Sequence, residues 1–182
     1  QPVIPGELGF YDLRLQETRI AQAKLAAAHG VEGFCYWHYW FAGRRMLERP
    51  FDETLATGVP DFPFCLGWAN HSWKRNSWTG VRHNKSDSLL IQQTYPGIDD
   101  DRAHFGYLLK AFKDSRYITI DEKPLFVIFR PADMPDAKQR FDLWRKWANE
   151  AGLKGLYVVG INSLNFSDPR SMGLDAVTLL ML

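Results

Sequence analysis

The sequence predicts an α/β protein built on a parallel sheet with covering helices. Helix and strand patterns alternate along the chain and close on a fifth strand, the order that parallel sheets require. The strands read as short, continuous apolar runs, which suits a sheet covered on both faces. Three of them, Phe34–Phe41 (FCYWHYWF), Phe64–Ala69 (FCLGWA) and Leu125–Arg130 (LFVIFR), finish in hydrogen-bonding or aromatic side chains. That places one shared site at the strand C-termini, where α/β proteins bind ligands. An open doubly wound sheet and a section of (β/α)8 barrel both fit this order. The chain has no Gly-rich phosphate fingerprint, which counts against a nucleotide-binding open sheet.

Each element has a local reason. Residues 1–13 are punctuated by Pro and Gly and begin outside regular structure. Arg14 to His29 has helical spacing and three consecutive alanines, with Gly30 as its stop. After strand Phe34–Phe41, Gly43, Arg44 and Arg45 form a basic turn, and Phe51–Thr57 reads as a short helix ended by Gly58. Lys74–Leu89 is a long polar segment carrying Trp78, Arg82, His83 and Lys85, and Leu90–Gln92 is a brief strand. Asp99, Asp100 and Asp101 precede a helix over about Arg102–Phe112, where acidic residues suit the positive end of the helix dipole. Tyr117–Ile120 is a hairpin-like excursion before the Leu125 strand. Pro135–Gly152 is the clearest amphipathic helix, with Phe141, Trp144, Trp147 and Ala148 on its packing side. Strands Gly155–Ile161 and Val177–Leu182 complete the order.

Composition narrows the function classes. The 182 residues suit one domain spanning 1–182 with a sizeable core, and a net charge of +1 advertises neither a nucleic-acid nor a membrane surface. No apolar run is long enough to span a membrane. Cys35 and Cys65 fall inside buried strands with no zinc-site spacing, so no metal and no cofactor is implied. The chain begins at Gln1 rather than Met and stops on the apolar run Ala176–Leu182, so an internal piece of a longer protein is expected.

Aromatic residues make up 14% of the chain, with seven Trp. A pyranose has an apolar C–H face that an indole covers while Asn, Arg and His bind its hydroxyls, which points to an oligosaccharide or polysaccharide substrate. Counting back in twos places Phe64, Leu66, Trp68 and Asn70 on one face, Phe126, Ile128 and Arg130 on another, and Tyr36, His38 and Trp40 on a third. If those faces point into a barrel, His38, Trp40, Asn70, Arg130 and Asn162 ring its mouth. Trp68, Trp73 and Trp78 are the further aromatic candidates, and His71 stands beside them. Glycosidases need two carboxyl groups flanking the bond, and no convincing pair stands at these strand ends; Asp133 is the nearest single carboxylate.

Six stretches then carry a family resemblance: PGELGFYDLR (Pro5–Arg14), GFCYWHYWF (Gly33–Phe41), LERP (Leu47–Pro50), PDFPFCLGWANHSW (Pro60–Trp73), DDRAHFGYLLKAFKDSRYI (Asp100–Ile118) and KPLFVIFRP (Lys123–Pro131). In this order they resemble the WbsX-type proteins, known as polysaccharide-biosynthesis glycosyltransferases and as glycoside hydrolase family 99-like domains. The resemblance implies a bacterial (β/α)8 barrel, incomplete here, acting on glycans. The family's Asn-Glu-Trp-x-Glu-type motif is missing from the chain, so the acid/base glutamates are expected to follow Leu182. The resemblance favours an endo-acting glycoside hydrolase of family 99-like type on a bacterial or mannose-type glycan, with Tyr36, His38, Trp40, Trp68, Asn70, His71, Trp73 and Arg130 lining sugar subsites. The alternatives are a glycosyltransferase of cell-surface polysaccharide synthesis, for which Arg44, Arg45, Lys74 and Arg75 are the basic cluster, and a non-catalytic carbohydrate-binding domain.

Overall fold

The computed structural model describes residues 5–75, 89–161 and 168–179. Asn162, Trp78, Arg82, His83 and Lys85 lie outside the described residues, as does the end of the Val177–Leu182 strand. Within them run α1 (Gln16–Ala28), β1 (Phe34–His38), β2 (Trp40–Phe41), β3 (Arg44–Arg45), α2 (Arg49–Thr57), β4 (Phe64–Trp68), β5 (Trp73–Lys74), β6 (Leu89–Ile91), α3 (Ile98–Phe112), β7 (Thr119–Ile120), β8 (Lys123–Ile128), α4 (Ala137–Glu150), β9 (Tyr157–Ile161) and β10 (Ala176–Thr178).

Five of these strands form a parallel sheet in the order β1-β4-β8-β9-β10. Sheet order equals chain order, so there is no reversal point of the kind that divides a doubly wound sheet. This is the progression of a barrel wall. The short β7 pairs antiparallel with the start of β8, the hairpin expected at Tyr117–Ile120. Residues 116–118 wedge apart the beginnings of β4 and β8. There the buried Tyr117 hydroxyl accepts from Leu66 N at 3.0 Å and donates to Leu125 O at 2.8 Å. The strand expected over Phe34–Phe41 instead breaks at Tyr39. Ala42 (φ 47°) and Gly43 (φ 85°) both take positive φ, so Trp40–Phe41 folds back on Arg44–Arg45 as a tight hairpin.

The core lies between the sheet and the helices. Phe64, Leu66 and Trp68 from β4 and Phe126 and Ile128 from β8 meet Phe105, Leu108 and Phe112 of α3 and Phe141 and Trp144 of α4. Trp144 is fully buried and Trp147 nearly so, as packing residues of the amphipathic helix. Glycines end three helices: Gly58 (φ 73°) caps α2 through a bond to Thr54 O, and Gly30 (φ 77°) and Gly152 (φ 87°) follow the caps of α1 and α4. The buried Arg140–Asp101 ion pair joins α4 to α3, fixing their relative register rather than adding much net stability.

A second polar contact crosses the core. His38 at the end of β1 and His104 on α3 share an Nε2–Nε2 hydrogen bond of 2.6 Å. Trp40 stacks flat on His104 with ring centroids 4.6 Å apart, and Tyr107 stacks on His38 at 5.1 Å. One ring donates and the other accepts, so the accepting imidazole must be neutral, and burial disfavours the charge on both. Burial pushes His38 down to about 3, with the Arg45 guanidinium adding to it, and burial holds His104 well below the ordinary histidine range.

In the unfolded chain both histidines take up protons near pH 6.5, while the native pair resists them, so the unfolded state binds more protons and stability falls as pH drops from about 6.5 towards 3. Each such histidine contributes about 1.4 kcal/mol per pH unit to that slope. Denaturant melts at stepped pH should show the slope reduced by about one histidine's worth in His104→Leu. An unchanged slope would mean the pair is not held neutral.

Candidate functional site

Register decides which side chains reach the open surface at the strand C-termini, because paired residues share a face of the sheet. Trp68 pairs with His38 and Ile128, and its ring meets His104 of α3 (4.6 Å) and Trp144 of α4 (6.2 Å). Tyr36 packs on Phe51 and Phe64. The series Tyr36–His38, Phe64–Leu66–Trp68 and Phe126–Ile128 therefore faces the helices. The expectation that these faces point into a barrel is overturned. Bulky apolar side chains are what the sheet–helix gap needs, and the opposite face of β4 carries only Cys65 and Gly67, followed by Ala69.

The opposite parity forms the open face: Cys35 and Trp37 on β1, Gly67 on β4, then Tyr39, His71 and Phe129 beyond the strand ends. Gly67 makes this arrangement possible. A Cβ there would come within 3.1 Å of both Cys35 Sγ and the Trp37 ring, so any larger residue would require the thiol and the indole to shift off β4. Trp37 meets Phe129 edge-on at 5.7 Å and remains 39% exposed. The His71 ring lies 5.1 Å from Phe129, and the Arg130 guanidinium is 5.5 Å from the same ring. Trp73 on β5 contacts Tyr39 (5.1 Å) and Phe41 (5.7 Å), extending the aromatic surface sideways. The open face runs into a cavity of about 880 Å³ beneath α1, lined by Cys35, Trp37, Tyr39 and Leu25 among others, along the outer edge of β1. Among the described residues nothing pairs with that edge.

Of the eight residues expected at subsites, His71, Trp73 and Arg130 stand on the open side. Tyr36, His38, Trp40, Trp68 and Asn70 lie on the helix side instead, with Tyr36 also lining the cavity at the edge of β1. Trp40 donates its indole N–H to Asp100 at 3.1 Å, and stacks on His104, so the hairpin is pinned to the start of α3. Arg45 binds Asp52 at 2.7 Å, and Tyr107 donates to the same carboxylate at 2.9 Å. The Tyr107 hydroxyl is held in its neutral form by burial and by Asp52. Asn70, 1% exposed, is a clamp: its Oδ1 accepts from Arg130 N at 2.8 Å while its Nδ2 donates to Arg130 O at 2.8 Å and to the Tyr95 hydroxyl at 3.0 Å. It holds the ends of β4 and β8 together directly beneath the patch.

Sequence reasoning missed Trp37, Tyr39 and Phe129, whose parity it assigned to the packed face, and His104. His104 had a signal: it sits on the buried stripe Asp101, His104, Phe105, Leu108 of α3. Gly67 was the signal for the other three. Among the described residues no group of three His, Cys, Asp or Glu is placed to hold a metal ion, and no helix is long and apolar enough to cross a membrane. His71 is half-buried, its Nδ1 has no partner among the described residues, and burial, then the Arg130 charge, lower its pKa, while Asp133 opposes them. It presents a neutral imidazole at neutral pH. Asp133 itself sits 3.6 Å from Arg130.

The clamp gives a measurable consequence. Asn70→Ala leaves the Arg130 amide without its acceptor, while Arg130 O keeps only the Asp133 N–H at 3.2 Å, and should cost about 1–3 kcal/mol of stability. Asn70→Asp keeps the acceptor for Arg130 N but sets a second oxygen against Arg130 O in a buried place, so it should cost at least as much. Small losses in both variants, read from denaturant unfolding, would show that the clamp does not join the strand ends.

Comparison with known proteins places the chain. Residues 1–181 match the family described as Glycosyltransferase WbsX. Two proteins described as Uncharacterized protein WxcX, from Xanthomonas campestris pv. campestris strains B100 and ATCC 33913, are each 35% identical over 176 residues, covering 97% of this chain. The match occupies 24% of each, so the chain spans about a quarter of their length. A solved structure titled "Glycoside hydrolase-like protein" superposes over 97% of this chain and 53% of its own, with a TM-score of 0.67 at 17% identity, and agrees with the barrel-type α/β fold. With a family match along essentially its whole length, the chain belongs to the WbsX glycosyltransferase family.

Proposed function

We propose that this chain is the glycan-binding part of a carbohydrate-active enzyme, a glycoside hydrolase of family 99-like type that cleaves within a bacterial or mannose-type glycan. The observation that carries the reading is the contiguous open surface of Trp37, Phe129, His71 and Arg130 at the strand C-termini. Indole and phenyl faces cover the apolar side of a pyranose, while a neutral imidazole and a guanidinium serve its polar rim. The glycoside hydrolase-like fold neighbour supports the same reading through fold alone.

The residues present bind and orient. Trp37 supports a ring, Trp73 and Tyr39 extend the platform, and the Asn70 clamp fixes the height of Arg130 above it. Bond cleavage needs a pair of carboxyl groups. Asp52 is taken up by Arg45 and Tyr107, Asp100 by Trp40, and Asp133 lies beside Arg130. The reading therefore assigns the acid/base glutamates to polypeptide outside residues 1–182, consistent with relatives about four times as long.

The family's description favours a second reading, transfer from an activated sugar. Of its basic cluster, Arg45 is committed to Asp52, whereas Arg44 and Arg75 are exposed.

The test is release of new reducing ends from bacterial surface polysaccharides and α-mannosidic glycans by the intact protein. Trp37→Ala should lower kcat/KM by about ten- to hundredfold, a loss of about 1.4–2.8 kcal/mol of transition-state binding. Unaltered kinetics would remove Trp37 from the site. Glycosyl transfer from a sugar nucleotide without hydrolysis would replace this reading with the second.

A further inference from the structure

We propose that the Phe129–His71–Arg130 patch receives the negatively charged group of an anionic saccharide, a carboxylate or a phosphate, while Trp37 supports the ring that bears it. The inference rests on the saccharide reading above and narrows its substrate class.

Phe129 is the centre of the patch. Its ring touches Trp37 at 5.7 Å and His71 at 5.1 Å, and the Arg130 guanidinium lies 5.5 Å from it, so platform, imidazole and cation form one continuous surface. The guanidinium is held at its root, because the Arg130 backbone is clamped by Asn70, yet its side chain is 55% exposed. Its ion pair with Asp133 spans 3.6 Å, longer than a hydrogen bond, and both partners are more than half exposed. Such a pair contributes little, and an incoming oxyanion replaces it readily. A planar guanidinium presents parallel donors that match a carboxylate or phosphate edge.

His71 completes the recognition. Its Nδ1 is buried and has no partner among the described residues, so with its proton there it is a donor left for a ligand oxygen. The Arg130 charge adds to burial in depressing the protonation of His71, and Asp133 opposes it. Exposed Arg75 follows β5, and exposed Arg44 stands on β3. A neutral glycan needs the aromatic platform but not an exposed guanidinium beside it. An oxyanion beside His71 raises its pKa, so affinity increases as pH falls through the histidine's titration.

The experiment measures binding to the intact protein of a panel of oligosaccharides: uronate-bearing chains, their carboxyl-reduced neutral counterparts, and UDP-glucose as a sugar diphosphate. Nuclear magnetic resonance follows His71 in parallel. Expected are tighter binding of an anionic ligand than of its neutral counterpart, a loss of about tenfold or more in Arg130→Gln, and an upward shift of the His71 titration on binding. Preference for the uronate chain assigns the charge to the glycan, and preference for UDP-glucose assigns it to an activated donor. Equal binding of acidic and reduced chains, unaffected by Arg130→Gln, overturns the anionic inference and leaves the saccharide reading standing. Failure of every saccharide to bind overturns both. Arg130→Gln preserves the backbone clamp, so a folded variant is expected and its far-ultraviolet spectrum should match the parent's.

Discussion

The alternation of large and small side chains along β4 is the constraint on which the rest depends. Phe64, Leu66 and Trp68 are all but buried against α3 and α4, while Cys65, Gly67 and Ala69 on the other face occupy little volume. A shift of one residue in register would drive the bulky set out of the sheet–helix gap and close the space over Gly67. Because the register is so fixed, Trp37 has one place to lie, across the bare backbone of Gly67 and against Phe129. The functional surface is thus a consequence of how the core fills its own gap.

The polar groups around the mouth serve the same geometry. The His38–His104 bond, the Trp40–Asp100 bond and the Arg45–Asp52–Tyr107 group tie β1 and the β2–β3 hairpin to α2 and α3. Asn70 ties the end of β4 to the end of β8 and, through Tyr95, to the segment before α3. Buried polar contacts of this kind specify one arrangement, since each broken partner would be left unsatisfied away from water. Packing sets where the strands run, and these bonds set where they stop.

Much of the architecture was legible in the sequence. The helix expected over Arg14–His29 is found at Gln16–Ala28, that over Pro135–Gly152 at Ala137–Glu150, and the strand over Phe64–Ala69 at Phe64–Trp68. Hydrophobic periodicity and glycine stops carry that information locally. The face of each strand was not legible in the same way, because a strand buried on both sides has no polar alternation to declare its inside. Volume alternation does declare it: Gly67 within an apolar run signals a close approach on that face. The tight hairpin after Tyr39 was hidden because Ala42 takes a positive φ that its side chain does not advertise. The Asn70 clamp was visible only as a polar residue at a strand end, a position equally suited to a ligand. Its partners lie 25 and 60 residues away.

The most direct test of the account is a crystal structure of the intact protein with a bound oligosaccharide. The account predicts a sugar ring over Trp37, bordered by Phe129, with a polar or charged substituent at Arg130 and His71, and with Trp68, His38 and Asn70 unmoved beneath. A saccharide bound elsewhere, leaving the face above Gly67 empty, would contradict it.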